Sequence, residues 1–339
     1  MRLFIHHSNT SKIIINIVTI VALIFSIGLS VSYGTTDIAL GTVWQAVFHF
    51  DADLTTHQVI QELRLPRAVS AVFVGAFLAV SGALMQGMTR NPLASPSIMG
   101  VTDGAAFALV MMLAFFPAIS GVGMISSSFV GAGLAVALVF TIGSFSSGGL
   151  TPVKLALAGV AIGTMLRSIS SIISLHFNLE KEMGFWLAGG LDGTSWTSVK
   201  VLVFSGIAGL LIALSISKSM TVLSLGEDIA TGLGQNNLMI KFLGILSILI
   251  LTGAAVSVAG AVGFVGLIVP HITRFIIGND YRWIIPTSIL FGGLLVVLSD
   301  VVARLINAPF ETPVGAITSL IGVPFFLYLA RGSGGGKNE

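Results

Sequence analysis

The chain has 339 residues, of which 55% are hydrophobic and only 9% are charged. Because a soluble domain carries about 25% charged residues, this composition excludes an ordinary soluble protein and predicts one that is embedded largely in lipid. The net charge of +2 gives no indication of a nucleic-acid partner, and the absence of cysteine excludes disulfides, zinc thiolates and a cysteine nucleophile.

Apolar segments that could form spanning helices of about 20 residues recur along the whole chain. We predict an all-α membrane protein, a polytopic bundle of about ten transmembrane helices in a single domain, 1–339. A cleaved signal peptide is the alternative for the first segment, because Ser30-Val31-Ser32 is similar to a cleavage site. The eighth segment is the shortest, and without it the C-terminus would change side. The predicted spans are 13–33, 68–88, 97–116, 122–145, 155–175, 201–217, 242–260, 264–277, 283–305 and 312–330.

The distribution of basic residues over the loops predicts the orientation. Of the 16 Lys and Arg residues, ten fall on or near the side of the N-terminus and six fall on the other side. Because cytoplasmic loops carry the excess of Lys and Arg, we expect a multi-pass protein whose N and C termini are both cytoplasmic.

Two arginines flank Pro66 in LRLPRAVSAVFVGAF (63–77), where the second helix is expected to begin. In this topology Arg64 and Arg67 lie outside, and a cation in the first turn of a helix is unfavourable by roughly 0.3–1 kcal/mol. One interpretation is that Glu62 or a lipid phosphate satisfies them. The other is that they receive an acidic protein partner arriving from outside.

Two segments match at an offset of 178 residues: GAFLAVSGALMQGMTRNPLASPSIMG from Gly75 and GAAVSVAGAVGFVGLIVPHITRFIIG from Gly253. The match predicts an inverted internal repeat with halves at about 60–195 and 238–331. Chance similarity in a sequence rich in Gly and Ala is the alternative. Gly75, Ala79 and Gly82 share one helical face, which favours close packing of another helix backbone.

The longest polar segment on the predicted cytoplasmic side is 217–241, with a central loop at 218–237. A short surface helix is expected to start at Glu227, because acids favour a helix N-terminus, and to be capped by Gly234. Ile229, Ala230 and Leu233 would form a small apolar face, either for docking against another protein or for packing on the bundle itself.

The sequence contains no Walker A motif. In the tail GSGGGKNE, Lys337 is followed by Asn338 rather than by Ser or Thr, and no helix is expected after it. If transport is driven by ATP, we therefore expect a separate chain to supply the ATPase.

Several segments together resemble the permease subunits of bacterial ABC importers for ferric siderophores, haem and cobalamin, which are type II importers. The resemblance runs over nearly the whole chain. Its most specific parts are ELRLPRAVSAVFVGAFLAVSGALMQGMTRNPLASPSIMGVTDGA (62–105), LALAGVAIG (155–163), SLGEDIATGLG (224–234), GFVGLIVPHITRFIIGNDYRWIIPTSILFGGLLVVLSDVVARL (263–305) and TPVGAITSLIGVPFFLYLA (312–330).

This resemblance implies a bacterial cell membrane, cytoplasmic or inner, as the location. It implies a second permease chain, identical or paralogous, two ABC ATPase subunits inside and a solute-binding protein outside. No cofactor would be bound directly, since the partner ATPase uses the ATP. Ferric siderophore is the expected cargo, with haem and cobalamin as alternatives.

The resemblance also implies roles for individual residues. Family members use arginines at the positions of Arg64, Arg67 and Arg304 to receive glutamates of the binding protein; for Arg304, an intrachain pair with Asp300 is the alternative. The expected contacts with the ATPase are Glu227, Asp228, Ala230, Leu233 and Gly234.

A cytoplasmic gate is implied at the start of the fifth helix, at Thr151, Pro152 and Val153. Small hydroxyl residues expected there are partly replaced by Pro152 and Val153. Three further polar residues in or beside the spans are candidates for the pathway because such residues are often functional, with structural pairing as the alternative. They are Asn91, Asp103 and Arg167.

Two other classes of protein are alternatives to an ABC importer permease. An ion-coupled secondary transporter would carry paired acids in mid-membrane, but only Asp103 and Asp300 are available. A membrane enzyme would need a cluster of His, Asp and Ser that the sequence does not indicate. We therefore predict a transport subunit with no catalytic and no metal-binding residues.

Overall fold

The computed structural model describes residues 8–34, 36–144 and 152–333. In these ranges the chain forms fifteen α-helices, a π-helical turn at Ile60–Arg64 and a 3-10 turn at Pro96–Met99. The α-helices are α1 Asn9–Ser32, α2 Leu40–Phe48, α3 Thr55–Val59, α4 Leu65–Thr89, α5 Val101–Phe115, α6 Gly121–Ser144, α7 Pro152–Phe177, α8 Glu180–Ala188, α9 Trp196–Ser215, α10 Ser217–Leu225, α11 Glu227–Gly232, α12 Asn237–Ala259, α13 Val265–Ile277, α14 Tyr281–Leu305 and α15 Val314–Ser333.

The helical segments coincide with the predicted spans, so the prediction of an all-α polytopic bundle is confirmed. Seven segments are long and apolar enough to cross a membrane: Asn9–Ser32, Thr55–Thr89, Gly121–Ile142, Lys154–Phe177, Trp196–Ser215, Asn237–Ala259 and Tyr281–Leu305. Three shorter apolar helices complete the set: Val101–Phe115, Val265–Ile277 and Val314–Tyr328.

The eighth predicted span, 264–277, is the shortest in the structure as well. At 1.5 Å per residue, the 13 residues of α13 extend about 20 Å, which is less than the roughly 30 Å of a bilayer core. The chain enters α13 through a non-helical turn that ends at Phe264, with a φ of 66°. The amide of Ala261 in this turn donates to the carbonyl of Trp186, so protein rather than lipid satisfies that part of the backbone.

Helix α4 is the centre of the bundle, packed against α9, α12, α13 and α14. A Cβ atom placed on Gly75 would lie 2.1 Å from the carbonyl oxygen of Gly292, and one on Gly82 would lie 2.0 Å from that of Gly266. The close helix approach predicted for the face of small residues is therefore confirmed, with α14 and α13 as the helices that approach.

The helix that contains α4 begins earlier than the sequence suggested. One continuous helical segment of 35 residues, Thr55–Thr89, passes through the π-helical turn and through Pro66. In this turn the amide of Leu65 donates to Ile60, five residues back. Arg64 and Arg67 thus lie about two and a half and about three turns inside a helix, and the expectation that they occupy a first turn, against the helix dipole, is wrong.

The residues matched at the offset of 178 do not have the same local structure. Gly82 lies inside α4, whereas Gly260 caps the end of α12 with a φ of 66°. Pro92 lies between α4 and the 3-10 turn, whereas Pro270 lies inside α13. This offset does not superpose equivalent positions, and an inverted relation between the two halves stays a prediction.

Candidate functional site

Three arginines and two carboxylates meet where α1, α4 and α14 come together. We call Arg64, Arg67, Asp300, Arg304 and Glu311 the arginine cluster. Arg64 and Arg67 come from the long helix, where the π-helical turn joins α4, Asp300 and Arg304 from the end of α14, and Glu311 from the segment between α14 and α15. Residues far apart in the sequence are thereby brought together at one end of the bundle.

Arg64 and Arg304 bind the C-terminal end of α1. Arg64 donates to the carbonyls of Val31 and Ser32 at 2.7 and 2.8 Å. Arg304 donates to the carbonyls of Ser30 and Tyr33, both at 2.9 Å. The last carbonyls of a helix have no partner within the helix, and cations are favourable at this end, so both arginines act as caps of α1.

Arg67 uses its two edges for two different carboxylates. Its Nε and Nη2 atoms donate to Asp300 at 3.0 Å, and its Nη1 atom donates to both oxygens of Glu311 at 2.9 Å. Asp300 is fully buried and also pairs with Arg304 at 3.1 Å, whereas the Glu311 side chain is 39% exposed. Only the Glu311 edge of this guanidinium therefore faces the surface.

The geometry separates the three arginines that the sequence grouped as docking residues. Arg64 and Arg304 are only 7% and 5% exposed, and their donors are directed at the end of α1, the segment that follows it and Asp300. The intrachain pair of Arg304 with Asp300, named as an alternative, is present. Glu62 is exposed, and partners other than Glu62 satisfy both Arg64 and Arg67. A docking role for the three arginines stays a prediction.

The second candidate region is formed by α10 and α11, Ser217–Gly232, which we call the elbow. The Thr221 hydroxyl accepts from the amide of Tyr281 at 2.9 Å and donates to Asp280 at 3.4 Å, which fixes α10 to the beginning of α14. The arginine cluster lies at the other end of α14. Since the 25 residues of α14 extend about 37 Å, the two regions lie on opposite ends of the bundle.

The elbow also contacts the central helix α4. Gly87 leaves room for the ring of Tyr281, since a Cβ atom there would lie 2.2 Å from the Tyr281 hydroxyl and 3.0 Å from the methyl group of Met220. That hydroxyl donates to the carbonyl of Ala83 at 3.0 Å. Movement of α10 would therefore act directly on both α4 and α14.

Helix α11 starts and ends as the sequence suggested. Gly226 precedes it with a φ of 142°, and Glu227 and Asp228 lie in its first turn. Gly234 follows with a φ of 77°, and the amide of Gln235 donates to the carbonyl of Ala230 at 3.0 Å, which is the glycine-dependent stop typical of helix ends.

The contact residues suggested for this helix divide into exposed and buried ones. Leu233 is 70% exposed, and Asp228 and Gly234 are exposed as well. Glu227 pairs with Lys241 of α12 at 2.6 Å. Ala230 is completely buried on the side of α11 that faces the bundle, and its contact with an ATPase stays a prediction.

An exposed apolar ridge runs along the elbow. Leu225, Ile229 and Leu233 are 63%, 51% and 70% exposed; Ile229 and Leu233 lie one helical turn apart, and Leu225 ends α10 just before Gly226. We call these three residues the elbow ridge. Leu225 was not among the predicted contacts, because it ends α10 rather than belonging to α11.

The pathway candidates do not form one site. Asp103, in the first turn of α5, pairs with Arg167 of α7 at 2.8 Å, so structural pairing is present. Asn91 lies in the exposed turn after α4, where its side chain accepts from the amide of Leu93. Of the gate residues, Thr151 lies outside the described residues, and Pro152 begins α7 with Val153 in its first turn.

Comparison with known proteins decides the family of the chain. The model of the FecCD transport family matches residues 22–332. The chain belongs to the FecCD transport family. The resemblance found in its motifs is thus confirmed for nearly the whole length.

Two permeases of iron import systems are similar to this chain over most of its length. The iron(3+)-hydroxamate import system permease protein FhuB of Bacillus subtilis strain 168 is 58% identical over 303 residues, which are 89% of this chain and 79% of that protein. The iron-uptake system permease protein FeuB of the same organism is 45% identical over 94% of this chain and 95% of that protein.

The fold is also found among solved structures. An inward-facing conformation of a metal-chelate type ABC transporter has a TM-score of 0.80 and 31% sequence identity to this chain. The likeness covers 94% of this chain and 98% of that one. The helix arrangement described above is therefore that of a permease from this class of transporter.

Proposed function

We propose that the chain is the permease subunit of an ATP-driven ABC importer whose cargo is a ferric siderophore, with ferric hydroxamates as the first candidate. The single observation that carries the cargo assignment is the 58% identity to a permease named for iron(3+)-hydroxamate import. The similarity extends over 89% of this chain, so it includes both ends of the bundle.

The mechanism we propose is alternating access without covalent chemistry. Closure of two ATPase subunits would push on the elbow ridge, whose apolar side chains suit a groove on another protein. Thr221 ties the elbow to α14, and α10 packs against α4, with Met220 beside Gly87. Helix α4 is the centre of the bundle and α14 packs against it, so their movement would open a cavity between two permease chains alternately to each side of the membrane.

The proposed partner across that cavity is a second permease chain. Helix α7 carries an exposed row of polar side chains near its middle: Thr164, Arg167, Ser168 and Ser171. The Arg167 side chain is 68% exposed. A charge facing lipid at the centre of a membrane is unfavourable by about 2.5–3.5 kcal/mol, so this face favours a water-filled cavity shared with a second chain.

The arginine cluster is the proposed receptor for a solute-binding protein. The Glu311 edge of Arg67 is the part that reaches the surface. An acidic side chain of the binding protein would bind at this edge of the guanidinium. Docking at this end and ATP-driven movement at the elbow would then act from opposite sides of the membrane.

Reconstitution of the complete importer in vesicles tests this function. The permease, its partner permease and the ATPases are combined with the cognate binding protein and supplied with a ferric trihydroxamate, ferric citrate, haem or cobalamin. We expect uptake of the ferric trihydroxamate that requires ATP. Preferred uptake of haem or cobalamin would contradict the cargo assignment. Uphill transport by the permease without ATPases would support an ion-coupled transporter instead.

A further inference from the structure

We propose that Glu311 is an internal substitute for an acidic group of the binding protein, and that docking occurs by exchange of one carboxylate for another on Arg67. This inference rests on the proposed function. It concerns the regulation of the docking site. In the free permease, Glu311 would occupy Arg67 until an acidic side chain of the binding protein replaces it.

The two carboxylates on Arg67 differ in how firmly they are held. Asp300 is fully buried and binds both Arg67 and Arg304. Glu311 is 39% exposed and, within the described part of the chain, binds only Arg67. Removing Asp300 would leave two buried guanidiniums without their shared partner, whereas Glu311 can move into solvent. The Glu311 edge is thus the exchangeable one.

The position of Glu311 allows this movement. The segment between α14 and α15 carries a run of exposed residues, 306–311, that includes Ile306 and Phe310. Glu311 is the last of them. It reaches Arg67 with two bonds of 2.9 Å to the same nitrogen, Nη1. An incoming carboxylate would find the guanidinium already oriented by Asp300 and would need to displace only an exposed side chain.

Competition of this kind has a measurable consequence. When a site is available for only part of the time, the apparent dissociation constant rises in inverse proportion to that available fraction. Exposed ion pairs are weak, so Glu311 would lower the affinity for the binding protein only moderately. Removing its charge should tighten docking by about two- to fivefold.

The test measures docking of the siderophore-loaded binding protein to the complete importer in nanodiscs. The variants are Glu311→Gln and the matched control Glu62→Gln, which removes one exposed negative charge two residues before Arg64 in the sequence without removing a bond to Arg67. Both are also made together with Arg67→Ala. Surface plasmon resonance at physiological ionic strength gives the dissociation constants.

We expect Glu311→Gln to tighten docking about two- to fivefold, more than Glu62→Gln, and to have no effect when Arg67 is alanine. Weaker or unchanged docking of Glu311→Gln would overturn the exchange. So would equal tightening by both variants, or tightening that persists without Arg67. Failure of the wild-type importer to dock its binding protein is a different result, because it overturns the proposed function and the exchange with it.

Discussion

Arg67 and Asp300, 233 residues apart in the sequence, form a buried pair with three N–H···O contacts of 3.0, 3.0 and 3.2 Å. The pair joins the helix that contains α4 to the end of α14. The same two helices touch backbone to backbone at Gly75 and Gly292, about two turns from Arg67. A charged bond and a glycine contact thus hold one interface together.

The substitution Asp300→Asn tests the importance of this pair for stability. It leaves Arg67 and Arg304 buried without their shared carboxylate, and breaking a buried ion pair from one side costs about 3–5 kcal/mol. We expect a clear fall in the thermal unfolding temperature in detergent. Ser299→Ala is the control, because the buried Ser299 hydroxyl has no hydrogen-bond partner among the described residues. A stable Asp300→Asn variant would contradict the assignment.

Arg64 and Arg67 should respond differently to the same substitution. Arg64→Gln removes bonds to the end of α1, so we expect a loss of about 1–3 kcal/mol in stability. Arg67→Gln leaves Asp300 paired with Arg304 but removes the donor that faces the surface. We expect it to weaken docking of the binding protein at least tenfold, since truncated charge pairs at interfaces cost about 2–5 kcal/mol.

Thermal unfolding and docking, measured on both variants, separate the two roles. Both substitutions should lower the unfolding temperature, because Arg64 holds the end of α1 and Arg67 is paired with the buried Asp300. At equal amounts of folded protein, Arg67→Gln should lower the affinity more than Arg64→Gln does. An equal or larger loss of affinity for Arg64→Gln would mean that the docking role has been assigned to the wrong arginine.

The elbow ridge should be required for the ATPase but not for the fold. Ile229→Ser and Leu233→Ser replace exposed apolar side chains, so we expect little change in thermal stability. Recovery of the ATPase with the affinity-tagged permease should fall several-fold. Leu187→Ser is the control: Leu187 is also exposed, at 46%, but lies on α8. Normal ATPase recovery with both ridge variants would exclude the ridge from the interface.

The interface between α4 and α14 should not accept an added methyl group. In Gly75→Ala the new Cβ would lie 2.1 Å from the carbonyl oxygen of Gly292, so the helices must separate; overpacking of this kind costs about 1–3 kcal/mol. Gly41→Ala in α2 is the matched control, because its Cβ meets no atom within 4 Å. The thermal unfolding temperature should fall for Gly75→Ala and stay unchanged for Gly41→Ala. Equal unfolding temperatures would contradict the close approach.

The sequence predicted those features that depend on local patterns. The apolar runs gave the spans, and Glu227 and Gly234 gave the limits of α11, because acids at a helix start and glycine at its end act locally. The start of the long helix at Thr55 was missed. Polar residues such as Gln58 and Glu62 conceal a helix that continues beyond the apolar run.

Features that depend on distant residues could not be predicted. The partner of Arg67 lies 233 residues away, and nothing near Arg67 in the sequence indicates Asp300. The burial of Ala230 beside the exposed Leu233 depends on how α11 lies against the bundle, which helical periodicity alone does not determine. Local sequence patterns therefore located the two candidate regions at opposite ends of the bundle. Only the packing showed which side chains in these regions are exposed to a partner protein.

The Asp103–Arg167 pair allows structural pairing and a pathway role to be separated. Arg167→Gln alone leaves the mostly buried Asp103 without its partner, so we expect a stability loss of about 1–3 kcal/mol. Adding Asp103→Asn removes the unpaired charge and should restore the unfolding temperature. Because the Arg167 face of α7 is proposed to line the cavity, we expect the double variant to remain defective in ferric trihydroxamate uptake. Uptake at the wild-type rate by a stable double variant would show that the pair serves only to join α5 to α7.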